Sequence, residues 1–179
     1  NSKDYEGHDL NGDRQPVVYV NYSDAQEYAE WLTERDRAAG NLPDGFRYRL
    51  PTGDEWMTFA QCGDRRQYPW GDNWPPQNGQ AGNYDGEECS VRRGRIEGYR
   101  DGHMVTCKVE DTWSNPWGIC GVGGNVWECT SETPGGDFDA WRGASWLGSF
   151  RDFLRCSGRY VGGASFRNDY IWFRLLLSR

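Results

Sequence analysis

The chain has 179 residues, a mean hydropathy of -0.91 and 27 acidic against 20 basic side chains, for a formal net charge of -7. That length suits one domain with a real core, and 10 Trp, 10 Tyr and 7 Phe exclude a disordered chain and predict an aromatic interior. The acidic balance argues against nucleic-acid binding, which needs a basic face; with no run of about 18 apolar residues, no membrane span is expected either.

Val17-Val18-Tyr19-Val20, β-branched and aromatic, predicts a short buried strand. Ser23-Asp24-Ala25-Gln26 reads as a capping box opening a helix that ends near Gly40. On it Tyr28, Ala29, Trp31 and Leu32 recur at helical spacing and are expected to face the core. A second box, Thr52-Gly53-Asp54-Glu55, starts a helix that buries Trp56, Phe59 and Ala60 at i, i+3, i+4. After about Asp64, Gly, Pro, Asn and Trp punctuate short apolar pieces, so loops, turns and short strands are expected through Trp146. Gly121-Val122-Gly123-Gly124 lacks a following Lys and a strand-to-helix frame, which sets aside a phosphate loop.

Cys62, Cys89, Cys107, Cys120, Cys129 and Cys156 form an even set without C-x-x-C spacing, and with 2 His a zinc site is not expected. Disulfides in an oxidising compartment and buried free thiols both remain open. From Arg142 onward seven arginines meet two aspartates, a formal excess of +5 in an acidic chain. These arginines are expected to tie loops together through planar hydrogen-bond forks, with a basic patch for acidic ligands as the alternative.

The signposts then accumulate in order. Tyr48-Arg49-Leu50-Pro51-Thr52 with Glu55-Trp56, Tyr68-Pro69-Trp70-Gly71-Asp72, Asn115-Pro116-Trp117-Gly118, Gly124-Asn125-Val126-Trp127-Glu128, Arg142-Gly143-Ala144-Ser145-Trp146 and Phe173-Arg174 span nearly the whole chain. As a set they resemble the formylglycine-generating-enzyme (sulfatase-modifying factor) family, a variant of the C-type lectin fold. The resemblance implies one α+β domain over residues 1–179, with two helices on small twisted antiparallel sheets and long loops.

Enzymes of that family oxidise a substrate cysteine with a copper-binding cysteine pair shortly after the R-G-[AG]-S segment. Counting from Ser145, the first position falls at about Gly148 and the second between Phe150 and Phe153, and none is Cys. Two-thiolate Cu(I) chemistry therefore has no evident site, and copper is not expected. Cys156, in Arg155-Cys156-Ser157-Gly158-Arg159, resembles the family's structural R-C-x-x-R step instead. The resemblance also implies a structural calcium site on Asn83, Tyr84, Asp101 and His103, whose oxygen donors suit that cation. A second family site maps onto Gly124, Val126 and Glu128, but Gly121 replaces its upstream Asn.

Another branch of the fold, the variable proteins of diversity-generating retroelements, keeps these signposts without the cysteine pair and rewrites a C-terminal segment by adenine-specific mutagenesis. Such rewriting of AAY codons cannot yield Lys, Glu, Gln, Met or Trp, and none of the five occurs from Leu147 through Ile171. This resemblance implies a non-enzymatic ligand-binding domain with a variable segment of about 142–174, displayed on a virion or cell surface and recognising a macromolecule, a protein above all. The expected contact face is Leu147, Gly148, Ser149, Arg151, Asp152, Tyr160, Val161, Gly162, Phe166, Asn168, Asp169, Tyr170 and Trp172. Phe150, Phe153, Leu154, Cys156 and Ile171 are expected in the core. The alternative function is a formylglycine-generating cysteine oxidase; a sugar lectin of the related fold would commonly carry E-P-N or Q-P-D, and this chain has neither tripeptide.

Overall fold

The computed structural model describes residues 3–4, 7–89, 94–131 and 138–179. Helix α1 spans Tyr22–Ala38, and its cap is Asn21, two residues before the expected Ser23. Asn21 has extended φ and ψ, so its side chain accepts from the Asp24 amide at 3.0 Å while Asp24 accepts from the Asn21 amide at 2.9 Å. The helix stops as predicted: Gly40 has φ +70, its N–H reaches the Arg37 carbonyl, and the Asn41 N–H reaches that of Asp36.

The buried face of α1 is Ala25, Ala29, Thr33 and Asp36, whereas Tyr28 is 45% and Trp31 51% exposed, contrary to the expectation that they face the core. The reason is close approach. Small Ala25 and Ala29 let α1 settle on strand β1 (Arg47–Arg49), where Thr33 Oγ1 accepts from the Tyr48 amide at 2.9 Å and Tyr48 donates to Asp36 at 3.0 Å. Rings as large as Trp31 would hold the two elements apart; Trp31 instead carries the Arg35 guanidinium at 5.0 Å.

Helix α2 (Gly53–Ala60) has the expected Thr52/Glu55 box and buries Trp56, Phe59 and Ala60. Arg49 grips Glu55 with two bonds of 2.7 Å, which locks β1 to the start of α2. The predicted strand at residues 17–20 does not form. Val18 alone is buried, while Val17 and Tyr19 are exposed and Tyr19 has φ 63, which breaks the pleat. Its amides bond singly instead, Val18 to Asn11 Oδ1 and Tyr19 to the Asn168 carbonyl.

The second half is loops and short strands, as predicted. Strands β2 (Trp127–Thr130), β3 (Phe138–Arg142), β4 (Tyr160–Gly163) and β5 (Ile171–Trp172) form a sheet of order β4-β3-β2-β5, and β6 (Leu176–Ser178) pairs with β1. Pairing is antiparallel except between β2 and β5, which run parallel. The expectation of antiparallel sheets fails there because residues 164–170 carry the chain from the end of β4 back to the end where β2 begins, so β5 runs in the direction of β2.

Buried aromatics fill the interior, with Tyr68, Tyr84, Tyr99, Trp127 and Trp141 in one cluster and Trp56 with Phe59 in another. Four of the six cysteines, Cys89, Cys107, Cys129 and Cys156, are buried, and Cys62, Cys107, Cys120 and Cys156 are free thiols. Glu128, almost fully buried on β2, accepts from Trp56 Nε1 at 2.7 Å and from Arg174 Nε at 2.6 Å, with a second contact to the same guanidinium. One carboxylate thus joins α2, the sheet and the C-terminal segment. Among the described residues no helix is long and apolar enough to cross a membrane.

Candidate functional site

The variable segment starts in a rigid frame. Arg142 through Trp146 are all buried, and Gly143, at φ +90, leaves no room for a side chain, because a Cβ there would sit 2.9 Å from the Val122 carbonyl oxygen and 3.1 Å from the Trp56 ring. Leu154, Cys156 and Ile171 pin the middle of the segment from inside, as expected.

Above them lies an aromatic layer. Tyr160 on β4 stacks on the buried ring of Trp141, 5.7 Å away and nearly parallel, and Phe166 lies 5.6 Å from the same ring. Phe153 meets Trp127 edge-on at 5.9 Å, and Phe150 meets Phe153 edge-on at 6.4 Å. Phe150 is 69% exposed and Phe153 37%, so both leave the core position assigned to them. They sit in a tight turn, with the Phe153 amide donating to the Phe150 carbonyl, that turns Leu154 inward and them outward. Their placement between Arg151, Asp152 and Arg155 in a polar turn was the available signal.

The thirteen predicted contact residues divide. Arg151, Asp152, Tyr160, Val161 and Phe166 are exposed; the others are half-buried. Strand alternation puts Val161 on the sheet face opposite Tyr160. Leu147, Tyr170 and Trp172 pack against the buried cluster of Leu10, Val18, Val126 and Trp146. Gly148 and Gly162 are held by space: a Cβ on Gly162 would fall 2.2 Å from the Trp141 ring, and one on Gly148 3.0 Å from both Ala144 Cβ and the Ser145 carbonyl. Ser149 is half-buried at the rim. Asn168 and Asp169 work through the backbone, the Asn168 carbonyl taking the Tyr19 amide and its side chain capping the Asp169 amide.

Most of the arginines tie loops together, as expected. Arg174 binds Glu128, Arg167 binds Asp24 at 2.7 Å, and Arg155 bridges Asp152 and Gln67. Arg151 donates to Tyr68 Oη at 2.7 Å and lies over the Trp74 ring.

Of the four predicted metal residues, Tyr84 and His103 meet Asp101 through their backbone amides, and Asn83 directly precedes Tyr84. Asp101 accepts from the Tyr84 amide at 2.8 Å and the His103 amide at 2.9 Å. Burial, opposed by those two amides and reinforced by the negative Glu88 and Asp85, pushes its pKa up to about 7. Asn83 is almost fully buried; its Nδ2 donates to the Val105 carbonyl and Asn125, while its Oδ1 receives no hydrogen bond. Among the described residues no three His, Cys, Asp or Glu side chains converge on one point, so a cation here would draw on the Asn83 amide and main-chain carbonyls together with Asp101. A buried amide oxygen with no donor, one residue before the Tyr84 amide that holds the Asp101 carboxylate, is the kind of oxygen donor a hard cation such as Ca²⁺ takes. The second family site does not fit: Glu128 is taken by Arg174 and Trp56, and Gly121 supplies no side-chain donor.

The thiol nearest the expected catalytic positions is Cys156. It is fully buried, its amide bonds to the Gln67 carbonyl, and burial pushes its pKa up to about 12. Such a thiol is a packing group, not a nucleophile.

Helices, mixed sheets and long aromatic-pinned loops define an α+β domain of the C-type lectin fold. The chain belongs to the sulfatase-modifying factor enzyme 1-like family, whose model matches residues 2–179. It is 34% identical over 121 residues to a formylglycine-generating enzyme of Streptomyces coelicolor, covering 65% of this chain and 32% of that protein. It is 31% identical over 171 residues to the inactive C-alpha-formylglycine-generating enzyme 2 of Mus musculus, covering 89% of this chain and 48% of that one. The chain thus spans a third to a half of these relatives. Two solved structures share the fold: Treponema denticola variable protein 1, with a TM-score of 0.68 at 19% identity over 93% of this chain and 72% of that one, and PvdO of Pseudomonas aeruginosa, with 0.65 at 24% over 90% and 61%.

Proposed function

We propose that this chain is a non-enzymatic recognition domain whose segment of about 142–174 binds a macromolecule, a protein on a target surface, and is diversified by a retroelement. The observation that carries the reading is the aromatic layer: Phe150, Phe153, Tyr160 and Phe166 stand exposed on a floor of buried Trp127 and Trp141. A connected apolar surface of this kind on a charged, hydrophilic chain marks an interaction site. Rigid rings on a fixed floor give contact area at little entropic cost. The residue alphabet from Leu147 through Ile171 supports diversification, and display on a virion or cell surface would follow. Calcium, if held by Asn83, Tyr84, Asp101 and His103, would have a structural role, fixing the loops on which the scaffold rests.

The diversification is tested in the genome that encodes the chain. A near-copy of the DNA for about residues 142 to 179, differing mainly at adenines and lying beside a reverse transcriptase gene, is expected, and its absence would remove that part of the proposal. Named formylglycine-generating enzymes among the relatives favour the alternative of a cysteine oxidase. Incubation with Cu(I) and a cysteine-containing sulfatase peptide is expected to leave the cysteine unchanged; formylglycine in the product would overturn the non-enzymatic reading.

A further inference from the structure

Arg151 differs from Arg155 and Arg167, two other arginines of the segment. Arg155 is paired with Asp152 and Arg167 with Asp24, but among the described residues no carboxylate lies within ion-pair reach of Arg151. It is nevertheless held in place. Its Nε donates at 2.7 Å to the hydroxyl of fully buried Tyr68, and its guanidinium carbon lies 5.7 Å from the Trp74 ring centre. Both supports come from the scaffold outside the variable segment, and among the described residues the two terminal nitrogens of the guanidinium have no hydrogen-bond partner. Phe150, at 69% the most exposed large apolar side chain among the described residues, is the adjacent residue.

We propose that Arg151 is the specificity-determining anchor of the face: it takes the carboxylate of an Asp or Glu on a protein partner, while Phe150 packs on an apolar side chain beside that carboxylate. The proposal rests on the recognition reading above and adds the partner's chemistry. A guanidinium already oriented by Tyr68 and Trp74 loses little freedom when it forms a two-pronged bond to a carboxylate. Charge complementarity favours an acidic group locally even though the chain carries -7, because fields beyond about 10 Å are screened at ordinary salt whereas a contact pair is not. Nucleic-acid phosphates would need a series of unpaired basic groups along a groove, and the neighbouring Arg155 and Arg167 are already paired.

The test uses a phage-displayed random-peptide library panned on the whole chain, followed by affinity measurement with synthetic copies of the enriched peptides. Enriched peptides are expected to carry Asp or Glu next to a Leu, Ile or aromatic residue. Changing that acid to its amide in the peptide is expected to weaken binding about tenfold or more, the range for a lost charged hydrogen bond. Arg151→Gln is expected to do the same, Arg151→Lys to recover part of the loss, and Phe150→Ser to weaken binding independently. The peptide-side change leaves the protein intact, so the result stands even if Arg151→Gln perturbs the fold. Peptides that bind through Phe150 or Tyr160 but are indifferent to their acidic residue and to Arg151 would overturn this proposal and leave the recognition reading standing. A library yielding no peptide sensitive to Arg151, Phe150 or Tyr160 would overturn both.

Discussion

Asp101 and Gly162 show what single positions decide. Asp101 has its carboxyl pushed up to about 7 from an ordinary 3.8, so in the cation-free protein the folded state holds the proton more tightly than the unfolded state does. Its contribution to stability is therefore complete below about pH 4 and lost as pH rises through 7. In EDTA, the melting temperature of the wild type is expected to fall relative to that of Asp101→Asn between pH 4 and 7; parallel curves would refute the assignment. With excess Ca²⁺ the trend should reverse, since a bound cation stabilises by mass action and its carboxylate ligand must be ionised. At Gly162 the argument is steric. Gly162→Ala would drive a methyl into the Trp141 ring and is expected to cost about 1–3 kcal/mol in denaturant unfolding, whereas Val161→Ser on the exposed neighbour should stay within about 0.5 kcal/mol. The sequence placed Val161 and Gly162 in one contact set because an alphabet of permitted residues carries no information on Cβ clearance.

The helices separate what a local pattern can encode from what packing decides. Thr52 and Glu55 satisfy the start of α2 within four residues, so that cap was readable without tertiary information. At α1 the same kind of pattern occurs twice, as Asn21 with Asp24 and as Ser23 with Gln26, and two overlapping boxes cannot be ranked by spacing alone. Asn21→Ala is expected to destabilise by about 1 kcal/mol, Thr52→Ala by a similar amount, and Ser23→Ala by much less, as read from thermal or urea unfolding. Equal effects at Asn21 and Ser23 would contradict the observed cap. The buried side of α1 is hidden from the local pattern for a related reason. Hydrophobicity favours Tyr28 and Trp31, but the contact with β1 selects small side chains and a Thr33–Tyr48–Asp36 relay, a property of the partner element that is invisible along the helix itself. Glu55, held by Arg49 at a pKa of about 2, adds stability that is present above about pH 4.5 and lost as pH falls through 2.

In the whole molecule, the frame and the face do different work, and the sequence disclosed the frame far better. Ordered signposts such as Arg142 to Trp146 and Phe173-Arg174 are fixed by burial and hydrogen bonding, and their order in the chain was enough to place the fold. The face lacks a period because turns, not regular elements, set its orientation, so Phe150 and Phe153 read as core while Leu147 and Trp172 read as surface. This separation predicts unequal consequences for substitution. Arg174→Met removes the guanidinium from Glu128, a carboxylate with almost no solvent contact that keeps, among the described residues, only the Trp56 N–H as a donor; stranding a buried charge of this kind costs about 3–5 kcal/mol. Replacing Phe150 and Phe166 together by Ser removes two large exposed rings and two ring contacts, the tilted one of Phe166 with Trp141 and the edge-on one of Phe150 with the half-exposed Phe153, and should cost about 1 kcal/mol. Urea unfolding of the two variants beside the wild type measures the difference directly. A double face variant as unstable as Arg174→Met would mean that the aromatic layer is part of the core, and that a surface free to change without cost to the fold is not what this segment provides.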